Sequence, residues 1–122
     1  MSWFSYSKVT RSLVIVALAS LMTPASASAA VEEAVATGKT VYSQTCVACH
    51  GANGKGMIPG VSDFTKPDGP LAKSDDELTG SIRDGLVTPG KALSMPAKGG
   101  NPSLTDEEIQ AVLVYLRSTF GT

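Results

Sequence analysis

Apolar residues recur at intervals of three and four in three segments of the chain, which is the spacing that places side chains on one face of an α-helix. The face of the first segment comprises Val31, Ala34, Val35, Gly38, Val41, Tyr42 and Thr45. The second, shorter segment carries Leu78 and Ile82. The face of the third comprises Ile109, Val112, Leu113, Leu116 and Phe120. No segment alternates between apolar and polar residues as a strand does, so the pattern predicts an all-α domain with three main helices.

The second and third helices have recognisable start signals. Ser74 is followed three positions later by Glu77, which fits a capping box at the start of the second helix. Thr105 and Glu108 form the same pattern at the start of the third helix. Gly85 is predicted to end the second helix.

The connections between the helices are long and carry little pattern. Residues 51–73 and 86–103 are rich in glycine and proline. Unstructured loops longer than about 12–15 residues are uncommon in compact domains and are usually functional or disordered. Two such loops in one small domain indicate that they enclose something other than protein.

The N-terminal segment has the order of a secretory signal peptide. Lys8 and Arg11 precede an apolar run at 13–22, and a stretch rich in small residues follows, with Ala27-Ser28-Ala29 as an A-x-A cleavage site. The alternative is an uncleaved anchor, but the run has about half of the roughly 20 residues that a spanning helix needs. We therefore expect cleavage near Ala30, no stable membrane insertion afterwards, and a periplasmic location.

The remaining part of the chain, residues 31–122, is predicted to be one domain, with residues 1–30 as its cleaved leader. Loss of Lys8 and Arg11 leaves eight basic against eleven acidic residues, a net charge of −3. A negative domain is a poor nucleic-acid binder. A domain of this size has a marginal core. In an oxidising compartment its two cysteines would pair unless another chemistry used them.

Both cysteines and the single histidine lie within the sequence CVACH, as Cys46, Cys49 and His50. A zinc site in most structural cases needs four ligands, and no further Cys or His exists. A thioredoxin-like redox pair expects a βαβ setting, which the pattern lacks. C-x-x-C-H is also the attachment signature of covalent haem, with two thioethers and an imidazole that binds iron. We favour haem, because thioether bonds also keep the cysteines from pairing.

With this motif in place, the chain resembles the monohaem class I c-type cytochromes. The resemblance covers essentially all of residues 31–122 and rests on Gly38 and Tyr42, CVACHG, Gly54 and Gly56, Pro59-Gly60, the stretch SMPAKGG and Tyr115. It implies the cytochrome c fold, in which three main helices and long loops surround one covalent haem c. It also implies that the first and last helices cross closely, with Gly38 and Tyr115 as the contact pair.

The second iron ligand has two candidates outside the leader, Met57 and Met95. Met57 lies seven residues after His50 and would have to reach round to the opposite face, which chain length permits. Met95 lies in the second long loop and precedes a proline, which favours an extended backbone. The resemblance favours Met95, and it implies that the carbonyl of Pro59 accepts a hydrogen bond from the ligating His50.

A haem iron with His and Met ligands has no open position for substrate, so the expected function is one-electron transfer. We expect an electron carrier rather than an enzyme, with redox proteins such as an oxidase, a reductase or a dehydrogenase as partners. Two alternatives stay open. One is a five-coordinate haem protein with a peroxidase or gas-sensing role; the other is a fixed cytochrome subunit of a larger oxidoreductase complex.

Overall fold

The computed structural model describes residues 25–121, and the elements predicted upstream, Lys8, Arg11 and the apolar run, lie outside them. The main helices are α1 (Ala25–Val41), α2 (Val47–His50), α3 (Asp75–Asp84) and α4 (Asp106–Phe120). A π-helical turn (Tyr42–Cys46) joins α1 to α2, and short 3₁₀ turns lie at Pro70–Ala72 and Ala97–Gly100. The only strand-like pairing in this part of the chain is one isolated bridge, between Leu86 and Met95. The prediction of an all-α fold is confirmed.

α1 begins at Ala25, upstream of the residue where the domain was predicted to begin, Val31. Val31 lies on the apolar face of this helix but is 56% exposed. The helical pattern therefore extends beyond the part of α1 that packs against another helix. Within residues 25–121, no helix is both long and apolar enough to cross a membrane.

α1 and α4 cross at Gly38. A Cβ atom built on this glycine would overlap the carbonyl oxygen of Ala111 and lie 2.7 Å from the Cβ of Tyr115. Real Cβ atoms do not approach so closely, so only glycine fits at the crossing. This confirms Gly38 and Tyr115 as a contact pair.

The core lies between these two helices and extends to α3. Its fully buried side chains are Tyr42, Ile109 and Val112. The remaining buried apolar residues are Val41, Leu71, Leu78, Leu104, Ala111, Leu113, Leu116 and Phe120. All five residues of the apolar face that periodicity predicted for α4 belong to this buried set.

Both predicted capping boxes form. The Ser74 hydroxyl accepts a hydrogen bond from the Glu77 backbone at 3.3 Å, and the Glu77 carboxylate accepts one from the Ser74 backbone at 3.2 Å. At α4 the corresponding distances between Thr105 and Glu108 are 3.2 and 2.9 Å. Gly85 follows α3 with φ of 82°, as predicted for a helix end.

Arg117 of α4 connects the last helix to the start of α3. Its guanidinium donates to the Asp75 carboxylate at 2.7 Å and to the carbonyls of Leu71 and Lys73 at 2.9 and 2.8 Å. These bonds hold the loop before α3 against α4. Leu71, on that loop, thereby becomes part of the core.

Candidate functional site

The CVACH motif lies at the end of one continuous helical run. The π-helical turn ends at Cys46, α2 carries Cys49 and His50, and Gly51 ends the run with φ of 77°. π-helical turns are rare and occur often at functional sites. Cys46, Cys49 and His50 all line the same cleft.

This cleft has a volume of about 270 Å³ and lies between the CVACH segment, α3, α4 and the two long loops. Its apolar lining includes Leu71, Leu78, Ile82, Val112 and Leu116. The first loop contributes residues 60–62 and Phe64, and the second contributes Leu86, Thr88 and residues 93–96. The two loops thus border one shared space, as their length and composition indicated.

Met95 lies on the wall of the cleft and its backbone is fixed. Its N–H and carbonyl each form a hydrogen bond with Leu86, at 2.9 Å in both directions. A Cβ on Gly85 would lie 2.7 Å from the Met95 carbonyl oxygen, so the end of α3 packs directly against this backbone. On the other side, the turn that follows Met95 meets the helical run, where a Cβ on Gly99 would lie 2.9 Å from Thr45.

Met57 has a different environment. Its side chain is 71% exposed and does not line the cleft. Its backbone N–H donates to the carbonyl of Cys49 at 2.8 Å, which ties it to the outer side of the motif. The side chain packs over Gly51, where a Cβ would lie 3.1 Å from Met57 Cγ. The structure therefore brings Met95, but not Met57, to the cleft that His50 lines.

The His50 side chain is partly buried and packs against an aromatic neighbour. Its Nδ1 is buried and has no hydrogen-bond partner among residues 25–121. Its ring stacks on Phe64, with ring centres 4.5 Å apart and planes 14° from parallel. Burial lowers the pKa of His50, and the nearby backbone of Ser62 acts in the opposite direction.

Pro59 was predicted to accept a hydrogen bond from His50, and the structure contains no such bond. Pro59 is exposed and does not line the cleft, whereas Ser62, three residues further on, does. The loop turns at Gly60, and this turn carries Ser62 rather than Pro59 toward the imidazole. The role of Pro59 stays a prediction, and Ser62 is a second candidate.

The Cys46 thiol is held in the neutral form. Burial, and then the neighbouring Cys49, raise the pKa of Cys46 to about 11. A neutral thiol is a poor nucleophile, which argues against a thioredoxin-like redox pair. Within the described residues, no group of three or more His, Cys, Asp or Glu side chains is placed to hold a metal ion by itself. The zinc alternative therefore gains no support.

Tyr42 has a role that the sequence did not indicate. Its hydroxyl donates a buried hydrogen bond of 2.6 Å to the carbonyl of Gly51, directly after the motif. Burial, followed by the neighbouring Cys46 and Tyr115, raises the pKa of Tyr42 to about 12. The phenol therefore stays protonated and continues to donate at any physiological pH. The bond fixes the end of α2 against the core.

Phe64 was also missed, because it lies in a loop without periodicity. The available signal was composition: the loop at 51–73 is otherwise rich in glycine, proline and polar residues, and a lone aromatic residue there has a reason to be buried. Phe64 joins His50 to the core through Phe120, with ring centres 6.1 Å apart.

These residues fit a covalently attached haem. Two thiols and an imidazole on one wall and a thioether on another share a single, mostly apolar cleft. Soft sulfur and imidazole donors are the ligand types that haem iron takes in cytochromes c. The buried Nδ1 of His50, without a partner, is the atom that a ligating histidine normally directs to a hydrogen-bond acceptor.

Comparison with known proteins agrees with this chemistry. The family described as cytochrome c oxidase, cbb3-type, subunit III matches residues 33–116. Cytochrome c-555 of Prosthecochloris aestuarii is 36% identical over 90 residues, which cover 67% of this chain and 84% of that protein. Cytochrome c-555 of Chlorobaculum thiosulfatiphilum is 33% identical over 81 residues, which cover 66% of this chain and 91% of that protein.

A third relative is much longer. The cbb3-type cytochrome c oxidase subunit CcoP of Rhodobacter capsulatus is 33% identical over 92 residues, covering 74% of this chain but only 31% of CcoP. No solved structure gives a significant match. The chain belongs to this family of c-type cytochrome domains. It carries one covalently bound haem c and functions in electron transfer with redox partners.

Proposed function

We propose that this protein is a periplasmic one-electron carrier in which Cys46 and Cys49 hold the haem by thioether bonds and His50 and Met95 are the axial ligands. The observation that carries the proposal is the shared cleft: it joins the CVACH motif to Met95, more than forty positions later in the sequence, and leaves Met57 outside. Export is supported by the leader-like residues 1–30, which end before this motif.

The bound haem supplies reversible one-electron exchange. The chain contributes a fixed environment for it. The Tyr42 hydroxyl bond to Gly51 holds the end of the motif helix, so the imidazole position depends on the core rather than on solvent. The paired hydrogen bonds between Leu86 and Met95 hold the opposite ligand. These bonds fix the Met95 backbone, and with His50 and Met95 both bound to the iron no position would be open for a substrate.

The apolar walls of the cleft have a second effect. Leu71, Leu78 and Val112 exclude water and lower the local dielectric, which disfavours the more highly charged oxidised state. Together with Met ligation, this raises the reduction potential. The cleft also stays open on one side, so electrons can enter and leave through a brief contact. Small interfaces below about 1,200 Å² are typical of such redox encounters.

The partners that we propose are an oxidase, a reductase or a dehydrogenase. Support comes from the relatives, which include both small cytochromes and the longer oxidase subunit CcoP. Purification of the exported protein separates the two arrangements: a free carrier elutes as a monomer, and a fixed subunit elutes with its complex.

The decisive experiment compares Met95→Ala with Met57→Ala. The first substitution should abolish the weak far-red band of sulfur-ligated ferric haem, lower the reduction potential and allow rapid carbon monoxide binding. The second should keep the band, because Met57 is largely exposed and lies outside the cleft. Loss of the band in Met57→Ala alone would overturn the ligand assignment. Fast carbon monoxide binding by the unaltered protein would indicate a five-coordinate haem and overturn the carrier function.

Attachment and export have their own test. The mature protein should begin at Ala30 or Val31, and its mass should include one haem that acid–acetone does not extract. Ala in place of Cys46 and Cys49 should yield a protein without bound colour. A membrane-bound species that retains Lys8 and Arg11 would contradict cleavage.

A further inference from the structure

We propose that Lys73 supplies the positive charge that pairs with a haem propionate. This inference rests on the proposed attachment of haem in the cleft, but not on the choice between the two methionines as axial ligand. Haem carries its propionates on a different edge from the vinyl groups that form thioethers. Attachment at Cys46 and Cys49 therefore leaves the carboxylates to another wall of the cleft. A carboxylate beside an apolar wall needs a partner, because unpaired charge is costly there.

The lining of the cleft offers one cationic chain for this purpose. Among the described residues that line it, Lys73 is the one lysine or arginine. Leu71 and Leu78, which flank Lys73 in the sequence, are buried and line the same cleft. Lys73 itself is exposed. A lysine in this setting lays its methylenes along the apolar wall and keeps its ammonium at the solvent edge, where a propionate carboxylate is also best solvated.

The arginines are engaged elsewhere. Arg83 donates to the Asp106 carboxylate at 3.0 Å, and Arg117 pairs with Asp75 at 2.6 Å. Neither arginine lines the cleft. Lys91 belongs to the second loop, which borders the cleft, but it does not line the cleft either. Lys91 is therefore a natural reference for the effect of a charge that lies nearby without contact.

The backbone of Lys73 is fixed, and its ammonium is available. Its N–H donates to the carbonyl of Pro70 at 3.1 Å, and its own carbonyl accepts from Arg117 at 2.8 Å. The nearby acid is Glu77, whose carboxylate accepts hydrogen bonds from the backbone and hydroxyl of Ser74 at 3.2 and 3.0 Å. Within residues 25–121, the ion pairs of the structure do not include Lys73.

The test compares Lys73→Gln with Lys91→Gln, which remove the same charge from two places. Loss of the Lys73 ammonium leaves a propionate uncompensated, which favours the ferric state. Lys73→Gln should therefore lower the reduction potential, measured by equilibrium redox titration, and the shift should persist at high ionic strength. Lys91→Gln should give a smaller shift that disappears in salt, because exposed charges are screened. Lys73→Arg keeps the charge and should keep the potential. Equal shifts for both glutamine variants at low and high salt would overturn the inference.

NMR of the unaltered ferrous protein provides an independent measurement. NOEs should connect the side-chain protons of Lys73 with the propionate methylenes. NOEs from the propionates to Thr88 or Ser94, which also line the cleft, in place of Lys73 would overturn the inference. Failure of the proposed function looks different, because haem outside this cleft would show no NOEs to Val112 or Leu116 of its apolar wall.

Discussion

The two sides of the cleft are held in different ways. The CVACH side is the end of a helical run that starts in α1, and the crossing at Gly38 and the buried Tyr42 hydroxyl anchor it to the core. The Met95 side is a loop, attached through one two-hydrogen-bond bridge and through close backbone contacts at Gly85 and Gly99. Residues near it are exposed, with Val87 at 79%. The CVACH side is therefore stabilised by side-chain packing, and the Met95 side mainly by backbone hydrogen bonds and close backbone contacts.

The largest expected effect comes from breaking the helix crossing. Gly38→Val would place side-chain atoms on the Ala111 carbonyl, and overpacking of this kind lowers the free energy of unfolding by about 3 kcal/mol or more. Denaturant unfolding followed by far-UV circular dichroism measures the loss. Gly80→Ala is the control: nothing lies within 4 Å of its Cβ in α3, and it should stabilise by up to ~1 kcal/mol. Similar destabilisation by both would show that the crossing is not tight.

The second-largest expected effect concerns the position of Met95 on its side of the cleft. Gly85 and Gly90 both have positive φ, 82° and 79°, so alanine at either position introduces strain of about 1–3 kcal/mol. Only at Gly85 would the new Cβ press on the Met95 carbonyl, at 2.7 Å. We expect Gly85→Ala to weaken the far-red band and speed carbon monoxide binding, and Gly90→Ala to leave both unchanged. The reverse outcome would separate Met95 from the end of α3.

The two capping boxes sharpen the comparison, because they have similar geometry but begin different helices. Ser74 caps α3, whose end packs against Met95, and Thr105 caps α4, which crosses α1 at Gly38. Loss of either cap, in Ser74→Ala or Thr105→Ala, should cost about 1 kcal/mol. α4 supplies most of the core, so Thr105→Ala should shift global unfolding and loss of the far-red band together. Ser74→Ala should shift loss of the band to lower denaturant than global unfolding. Coincident transitions in both variants would mean that the domain has one cooperative unit.

The smallest effect is a pH dependence at Glu77. Hydrogen bonds from the backbone and then the hydroxyl of Ser74 lower the pKa of this carboxyl below its ordinary 4.5. Because the pKa is lower in the folded state, the ionised Glu77 carboxylate contributes to the free energy of unfolding. This contribution is complete above pH 4.5 and is lost as the pH falls through the folded-state pKa. Glu77→Gln should flatten the stability profile in that acidic range and change little at neutral pH. An unchanged profile would show that the exposed carboxylate contributes nothing measurable.

Local patterns predicted the helices well, because each rests on neighbours within a few residues. The face of α4, both capping boxes and the end of α3 at Gly85 needed only spacing and cap chemistry. The contact of Gly38 with Tyr115 came from the family resemblance, since no local pattern links residues so far apart. Periodicity does not show where the partner helix ends, so it did not reveal that Val31, on the apolar face of α1, is exposed.

The details of the site were harder to predict from the sequence, for a physical reason. Three contacts at the site join residues that no helical or strand periodicity relates. They are the bridge between Leu86 and Met95, the stack of Phe64 on His50 and the hydrogen bond from Tyr42 to Gly51. The placement of the His50 nitrogen relative to Pro59 and Ser62 depends on how one loop turns at Gly60. Loop geometry of this kind is decided by tertiary contacts, which a sequence pattern does not encode.

The crossing of α1 and α4 also has a consequence for biogenesis. Gly38 and Ala111 are roughly 70 residues apart, so the core depends on a contact of high sequence separation, which forms slowly. A chain that emerges N-terminus first presents Cys46 and Cys49 well before α4 has emerged. Both thiols are thus accessible to an attachment machinery before the last helix docks and the core that partly buries Cys46 is complete.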